Sequence, residues 1–477
     1  MENKKEIELK WLMSKEAIKA LLTLDCVAPY IKEESCQKRR LVSVYYDTED
    51  LAFKRNGIAY RVRDKGDGSF EATVKTSAKN STGLSERLEL NMVLPTDKPT
   101  LDGFAELGLG FELSELAPNG ISKLFTVNVT RVTYILALQD AVVELAIDNG
   151  KITAGKSSEK IDEVELELLE GDVGALLHLA AQITQEIPVF IEKRSKFVRG
   201  LALRGLTGQE QPEAAKYFGN GLARTELLQA VEEHADMLLD LQNDFAKGVF
   251  DEKRFKEAKR QITYLLGCLK MGETLSGVQH GNRASLAAEI AAMDVLPELM
   301  SLQKLWARIV ARWQSVLGRN SLNKKLLKSI EEAEVAFQDK AQEGRLTAFA
   351  YSILSWIYNN HWENDETLDM KAAARFCVDQ WKNLLKEVKA ESDDAGKDAR
   401  YNEYLDAVWV ISRNMPGKYF IKVADAIKKE RRQLHKKQQH TDWIKLLEEQ
   451  GAGSSSKTMH RDIGVIMGYL FADSELQ

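Results

Sequence analysis

Near the start of the chain, Glu6, Glu8 and Lys10 place acid, acid and base at every second position. On an extended strand that spacing puts the three side chains on one face and Ile7, Leu9 and Trp11 on the other. Two carboxylates beside an ammonium can hold a divalent cation against an anion, or can simply face water. One such triplet in a chain with 29% charged residues decides nothing, and a solvated sheet face is the commoner cause. The alternation recurs, however, at Arg61 and Arg63, Thr73 and Lys75, Arg87 and Glu89, Glu144 and Asp148, and Glu163, Glu165 and Glu167, with Arg131 in a further strand-like run. The positions between them are mostly Ile, Leu, Val, Ala and Tyr, as though the opposite face met helices.

If these strands close into a barrel with the helices outside, the charges line its interior. Charges inside a fold are expensive unless they are partnered. Acids and bases neutralise each other in part, and a divalent metal on the acids with a polyanion on the bases satisfies the rest. Carboxylate oxygens suit Mg²⁺ or Mn²⁺, which bind phosphate at the same time. Arginine forks match phosphate oxygens with two bonds at once, and lysine adds a point charge.

The elements that must position these residues follow from the chain in order. Ser14 caps a helix expected over residues 15–24. Strands are expected at residues 41–48, 57–63, 70–75 and 87–93, with a Gly66-Asp67-Gly68 turn joining two of them. A helical excursion follows over residues 101–124, then a hairpin of strands at 127–138 and 141–148, a strand at 163–168 and a helix at 173–184. The segment closes on Glu192-Lys193-Arg194-Ser195-Lys196. From Gly221 the apolar period becomes helical, in long segments at 222–245, 284–317 and 367–390. The tryptophans there, among them Trp356 and Trp381, read as bundle core.

At 477 residues the chain is too long for one ordinary core, and two domains are expected: 1–203, a linker at 204–220, and 221–477. The fold class is α+β, an antiparallel barrel with outer helices followed by an all-α bundle. A net charge of −6 argues against a nucleic-acid partner, and no apolar run is long enough for a membrane span. Cys26, Cys36, Cys268 and Cys377 lie far apart with no metal-ligand spacing, and no secretory signal is visible. Reduced thiols in a cytoplasmic protein are the expectation.

Taken together, Glu6-x-Glu8-x-Lys10, Tyr45-Tyr46-Asp47-Thr48, Arg61-x-Arg63, Thr73-x-Lys75, Arg87-x-Glu89, Asp148, Glu163-x-Glu165 and Ser195-Lys196 resemble the signature of the CYTH family, the triphosphate tunnel metalloenzymes. The resemblance spans about residues 3–203 and implies an eight-stranded antiparallel tunnel holding a linear triphosphate with one or two divalent ions. It implies Glu6, Glu8, Glu163 and Glu165 as metal ligands with Glu89 and Asp148 as further acids. It implies Lys10, Arg61, Arg63, Lys75, Arg87 and Arg131 as phosphate-binding bases. Lys196 would close one tunnel end, with Lys193 and Arg199 as competitors. Lys75 with Tyr45 would form the family's catalytic pairing, Tyr46 would face outward, and Glu167 would be peripheral.

A tunnel followed by helices resembles the two-domain CYTH–CHAD inorganic triphosphatases, whose helical part is associated with polyphosphate. The basic, histidine-headed helix of that family would fall near residues 251–266, where Arg254, Lys256, Lys259 and Arg260 stand without a leading histidine. Lys428, Arg432, His435 and Lys436 form a basic helix face that would suit long-chain polyphosphate or merely be solvated. The expected activity is metal-dependent hydrolysis of tripolyphosphate to pyrophosphate and phosphate. Thiamine triphosphatase, nucleoside triphosphatase and class IV adenylyl cyclase are the rivals, and a non-enzymatic polyphosphate-binding scaffold is the reading from another class.

Overall fold

The computed structural model describes residues 4–77, 79–207, 218–276, 324–359, 367–390 and 397–449, with isolated positions between 290 and 309. Ten strands make one antiparallel sheet: β1 (Lys4–Leu12), β2 (Gln37–Asp47), β3 (Ile58–Asp64), β4 (Phe70–Thr76), β5 (Lys79–Ser81), β6 (Leu84–Leu94), β7 (Ser122–Ala137), β8 (Ala141–Ala154), β9 (Ser157–Gly171) and β10 (Phe190–Ile191). Eight of them close in the order β1-β9-β8-β7-β2-β3-β4-β6, and β6 pairs back to β1. β5 and β10 are short additions at the rim. Closure turns one face of each strand into the barrel, and β1 is covered on the other face as well. Leu9 and Trp11 on one side and Glu6, Glu8 and Lys10 on the other are all under 9% exposed. The charged face is therefore turned into the barrel and is not an open sheet surface.

Local chemistry sets the entries to the strands. Ser14 accepts the Ala17 N–H at 3.1 Å and starts α1 (Lys15–Leu21), which ends short of the expected residue 24. Asp47, fully buried, accepts the backbone N–H groups of Phe53 at 2.8 Å and Lys54 at 3.0 Å. With Thr48 it ties down the short helix α2 (Ala52–Arg55) that leads into β3. The expected helix over residues 101–124 is reduced to a wide turn at Ala105–Leu109 and α3 (Leu113–Leu116). Gly103, Gly108 and Gly110 take left-handed φ of 95°, 109° and 86°, which a continuous helix does not allow. This excursion still covers β3, β4 and β6, placing Phe104 and Leu113 against Tyr60, Val74 and Leu90.

Two further helices complete the barrel. α4 (Val173–Glu186) covers the outer face of β8 and β9 with Leu176, Leu177, Ala180 and Ile183. α5 (Lys196–Leu203) is capped by Ser195, whose hydroxyl accepts the Val198 N–H, and packs on β7, β8 and β9 at one barrel end. There the inward positions turn apolar. Tyr45, Phe125, Val127, Val129, Ile152 and Ile161 meet Leu201 in a core layer that stops the barrel. Gly200 is required for this approach, because a Cβ would fall 2.3 Å from the Phe125 ring.

The rest of the described chain is helical: α6 (Ala223–Ala246), α7 (Glu252–Leu275), α8 (Lys324–Gln342), α9 (Arg345–Asn359), α10 (Met370–Ala390), α11 (Lys397–Asn414) and α12 (Lys418–Glu449). The expected helix at 284–317 lies largely outside the described residues, as does most of the 204–220 linker. Trp356 and Trp381 are buried as bundle core, while Trp313 and Trp362 lie outside the described residues. α9 is buried on every side from Leu346 to Ile357, the mark of a core helix. It packs on α4, α6 and α7, so one apolar core runs from the outer face of β1 and β9 into the helices. Trp11 Nε1 donates to the Tyr351 hydroxyl at 3.2 Å across that junction. All four cysteines are free, and among the described residues no helix is long and apolar enough to cross a membrane.

Trp11→Ala removes the largest side chain joining barrel and helices. It is expected to cost about 3–5 kcal/mol, read as a lower urea midpoint of the full-length protein. A loss below about 1 kcal/mol would contradict a tightly shared core.

Candidate active site

The barrel interior holds a cavity of about 500 Å³ whose walls are the charged faces of the strands. β1 supplies Glu6, Glu8 and Lys10; β3 supplies Arg61 and Arg63; β4 supplies Lys75; β6 supplies Arg87 and Glu89. Arg131 enters from β7, Glu165 and Glu167 from β9, and Lys196 from the start of α5. Asp148 and Glu163 lie just behind this wall, 1% and 0% exposed, in contact with Lys196. All fourteen barrel residues expected at the site on sequence grounds, Tyr45 included, thus converge.

Strand register explains the pairing. Glu6 stands opposite Arg87 on β6, and Lys10 opposite Glu165 on β9, so β1 is the strip on which two ion clusters meet. In the first, Glu6 holds Lys75 at 2.6 Å and Arg87 at 2.6 Å, Glu8 holds Arg87 at 2.9 Å, and Glu89 holds Lys75 at 2.6 Å. In the second, Lys196 sits among Glu163 at 2.5 Å, Glu165 at 2.8 Å and Asp148 at 2.9 Å. Arg131 adds a two-pronged bond to Asp148, both contacts at 2.7 Å. Lys10 bridges the clusters, 3.2 Å from Glu8 and 3.7 Å from Glu165. Despite burial, the cations hold Glu89 and Glu165 well below the usual carboxylate range and Asp148 at about 2.

On the basic side the match of charges is incomplete at one corner. Arg61 approaches Glu89 only at 3.8 Å, and its buried Nε has no hydrogen-bond partner. Beside it, Arg63 donates to Ser43 Oγ at 3.0 Å, and among the described residues no carboxylate pairs with it. Burial, with Arg61 and Arg131 nearby, lowers the Arg63 guanidinium to about 10. Burial raises the Tyr45 hydroxyl, but Arg61, Arg63 and Lys75 more than offset it and leave Tyr45 below the ordinary tyrosine value. This corner is cationic, desolvated and short of acceptors, and a phosphate oxygen would complete it.

The acids also fit a cation beyond the lysines. Carboxylate oxygens of Asp148, Glu163 and Glu165 lie within 4.8 Å of one another, all three buried. The donor set is all oxygen, which suits Mg²⁺ or Mn²⁺ rather than a softer metal. On the neighbouring strand β1, Glu6 and Glu8 present the same chemistry.

Of the competitors for the closed end, Lys196 alone reaches the cavity. Lys193 turns outward to Asp236 and Asp240 on α6, and Arg199 braces Glu163 and Glu159 from behind. Tyr46 faces out against Tyr60, as its parity implies. Glu167 was expected at the periphery but lines the cavity, because β9 carries it opposite Glu8. Lys65 and Glu71, paired at 2.6 Å, extend the charged wall beyond the expected set, and they continue the parity of Arg63 and Thr73. In the helices, Arg254 and Arg260 pair with acids on or beside their own helix. His234 is buried against Gln261 and Tyr264, and His178 is exposed. Lys428 and Arg432 are exposed on α12, while the side chains of His435 and Lys436 lie outside the described residues.

Residues 4–201 match the family model of the CYTH domain. An inorganic triphosphatase of Haemophilus influenzae is 29% identical over 163 residues, covering 34% of this chain and 46% of that protein. The chain thus spans under half the length of this relative. Among solved structures, the Hippeastrum protein HpAC1, described with a dominant triphosphatase activity, is 19% identical over 41% of this chain and 95% of that one, with a TM-score of 0.30. A Mimivirus capping-enzyme triphosphatase is 12% identical over 36% and 84%, with a TM-score of 0.22.

Burial, with Glu6 and Glu89 close by, pushes the Glu167 carboxyl up to about 7. An unfolded glutamate titrates near about 4.3, so between these values the folded chain carries a proton that the unfolded chain lacks. Stability from this group is present below that window and is lost as pH rises through it. Glu167→Gln is expected to stabilise the metal-free protein at pH 8 by about 1–2 kcal/mol and to change little at pH 5 in urea unfolding. An equal effect at both pH values would contradict the assignment.

Proposed function

We propose that the chain is a metal-dependent inorganic triphosphatase that hydrolyses tripolyphosphate to pyrophosphate and phosphate inside the barrel. The observation that carries this reading is the buried, partnerless Nε of Arg61 beside Arg63, which has no carboxylate partner among the described residues. A linear polyanion supplies what that corner lacks. The cavity aromatics favour an inorganic chain over one bearing a ring. Tyr45 stacks on Phe197, centroids 5.8 Å apart, and on Phe125 at the closed end, which leaves mostly charged side chains on the remaining walls.

Lys10, Arg61, Arg63, Lys75, Arg87, Arg131 and Lys196 would hold the phosphate oxygens, and Glu6, Glu8, Glu89, Asp148, Glu163 and Glu165 would hold Mg²⁺ or Mn²⁺. In the ligand-free state these groups hold one another. Entry of the triphosphate draws the bases to phosphate and frees the acids for the cation, so the same charges stay paired throughout. When bound, the cation supplies Lewis acidity toward a phosphoryl oxygen and toward water. The protein's own contribution is alignment. Lys75 and Arg87, fixed by Glu6 and Glu89 on β1 and β6, neutralise the chain, and Tyr45, beside Arg61, orients the phosphate at the closed end. Water's oxygen bonds to the terminal phosphorus, the bridging P–O bond breaks, pyrophosphate departs, and a proton passes to solvent.

The same reading assigns residues 1–203 to the tunnel domain and 221–477 to a CHAD-type helical domain, with Lys428, Arg432, His435 and Lys436 as a surface for long-chain polyphosphate.

Phosphate release from tripolyphosphate, ATP and thiamine triphosphate, each with Mg²⁺ or Mn²⁺, tests the activity. Tripolyphosphate is expected to be turned over preferentially. Glu6→Ala and Glu8→Ala are each expected to lose at least about a hundredfold in kcat, and chelation is expected to abolish turnover. Preference for a ring-bearing triphosphate would move the substrate. No release with either metal would overturn the enzyme and leave polyanion binding.

A further inference from the structure

We propose that Asp236, on α6 outside the barrel, is a positioning residue for the chamber, fixing the turn that launches Arg87 and the loop that launches Lys196. The inference rests on the triphosphatase reading for its kinetic form and on contacts alone for its structural form. Asp236 Oδ1 accepts the backbone N–H of Thr82 at 2.6 Å and the Lys193 ammonium at 2.8 Å. Two segments far apart in the barrel sequence thus meet at one oxygen supplied by the helical part of the chain.

Both segments need holding. Thr82 and Gly83 have left-handed φ of 59° and 76°, and for threonine that is a strained backbone that persists only where its surroundings enforce it. The turn is seated in a socket with no slack. A Cβ on Gly83 would come within 2.6 Å of Ile191 Cγ2 and 3.4 Å of the Tyr351 hydroxyl. Ile191 is itself clamped by Asn243 of α6, which accepts its N–H at 3.0 Å and donates to its carbonyl at 2.9 Å. The strand leaving the turn is β6, which carries Arg87 and Glu89. The loop leaving Lys193 enters α5 through Ser195 and carries Lys196. Lys193 is also anchored by Asp240 at 2.7 Å, so the helices grip the loop twice. Asp236 does not line the cavity, and its effect must pass through these two segments.

Full-length Asp236→Ala is expected to raise KM for tripolyphosphate about tenfold while kcat stays within about threefold, because two phosphate-binding side chains lose their register. Asp236→Asn keeps an oxygen toward the Thr82 N–H and is expected to remain within about threefold of wild type in KM. An unchanged KM for Asp236→Ala, whatever its melting temperature, overturns the positioning role. If the wild-type chain releases no phosphate from any triphosphate, the activity reading fails instead. Hydrogen exchange then decides the structural form. Faster amide exchange over residues 82–89 in Asp236→Ala supports it, and unchanged exchange overturns it.

Discussion

Charges buried inside a barrel must be paired, and the rest of this structure follows from that requirement. An isolated carboxylate or guanidinium taken from water into protein costs several kcal/mol even after relaxation. The interior here spreads the load over two clusters. Glu6, Glu8 and Glu89 answer Lys75 and Arg87, while Asp148, Glu163 and Glu165 answer Arg131 and Lys196. Lys10 joins them. Such a lining is a poor source of stability, since an apolar core of the same volume would do as well or better. Charges nonetheless line the cavity on strand after strand, and at one corner Arg61 and Arg63 are short of acceptors.

Stability has to come from elsewhere, and the helices provide it. The barrel's outer faces are covered by the 101–117 excursion on one flank and by α4, α6 and α9 on the other. α5 closes one end with an apolar layer. Because the core is continuous from Trp11 to α9, the helical part is not a separable appendage on a finished tunnel. It completes the packing of β1, the strand on which the two ion clusters meet.

Much of this was legible in the sequence. Strand parity alone grouped Glu6 with Lys10, Arg61 with Arg63 and Glu163 with Glu165, because a side-chain period of two survives any curvature of the sheet. Parity also assigned Tyr46 outward. What it missed depends on geometry that parity does not carry. Glu167 seemed surplus by count, yet the register that sets it opposite Glu8 brings it to the wall. The apolar layer of Phe125, Val127 and Val129 shares the parity of Arg131, so an inward face reads as mixed until α5 is seen to close on it. The excursion at 101–124 was expected to be helical, and the left-handed backbone of Gly103, Gly108 and Gly110 breaks it. Contacts such as Trp11 with Tyr351 and Asp236 with Thr82 join residues far apart in sequence, and no local pattern announces them.

The central claim is that tripolyphosphate and a divalent cation together replace the internal ion pairs. A crystal of the full-length protein grown with tripolyphosphate and Mn²⁺, with the anomalous signal mapped, tests it most directly. The expected result is a manganese peak among the buried acids, phosphate oxygens against Arg61 and Arg63, and the Glu6–Lys75 and Glu6–Arg87 pairs opened. Manganese and phosphate bound only on the outer helices, with every internal pair intact, would contradict it.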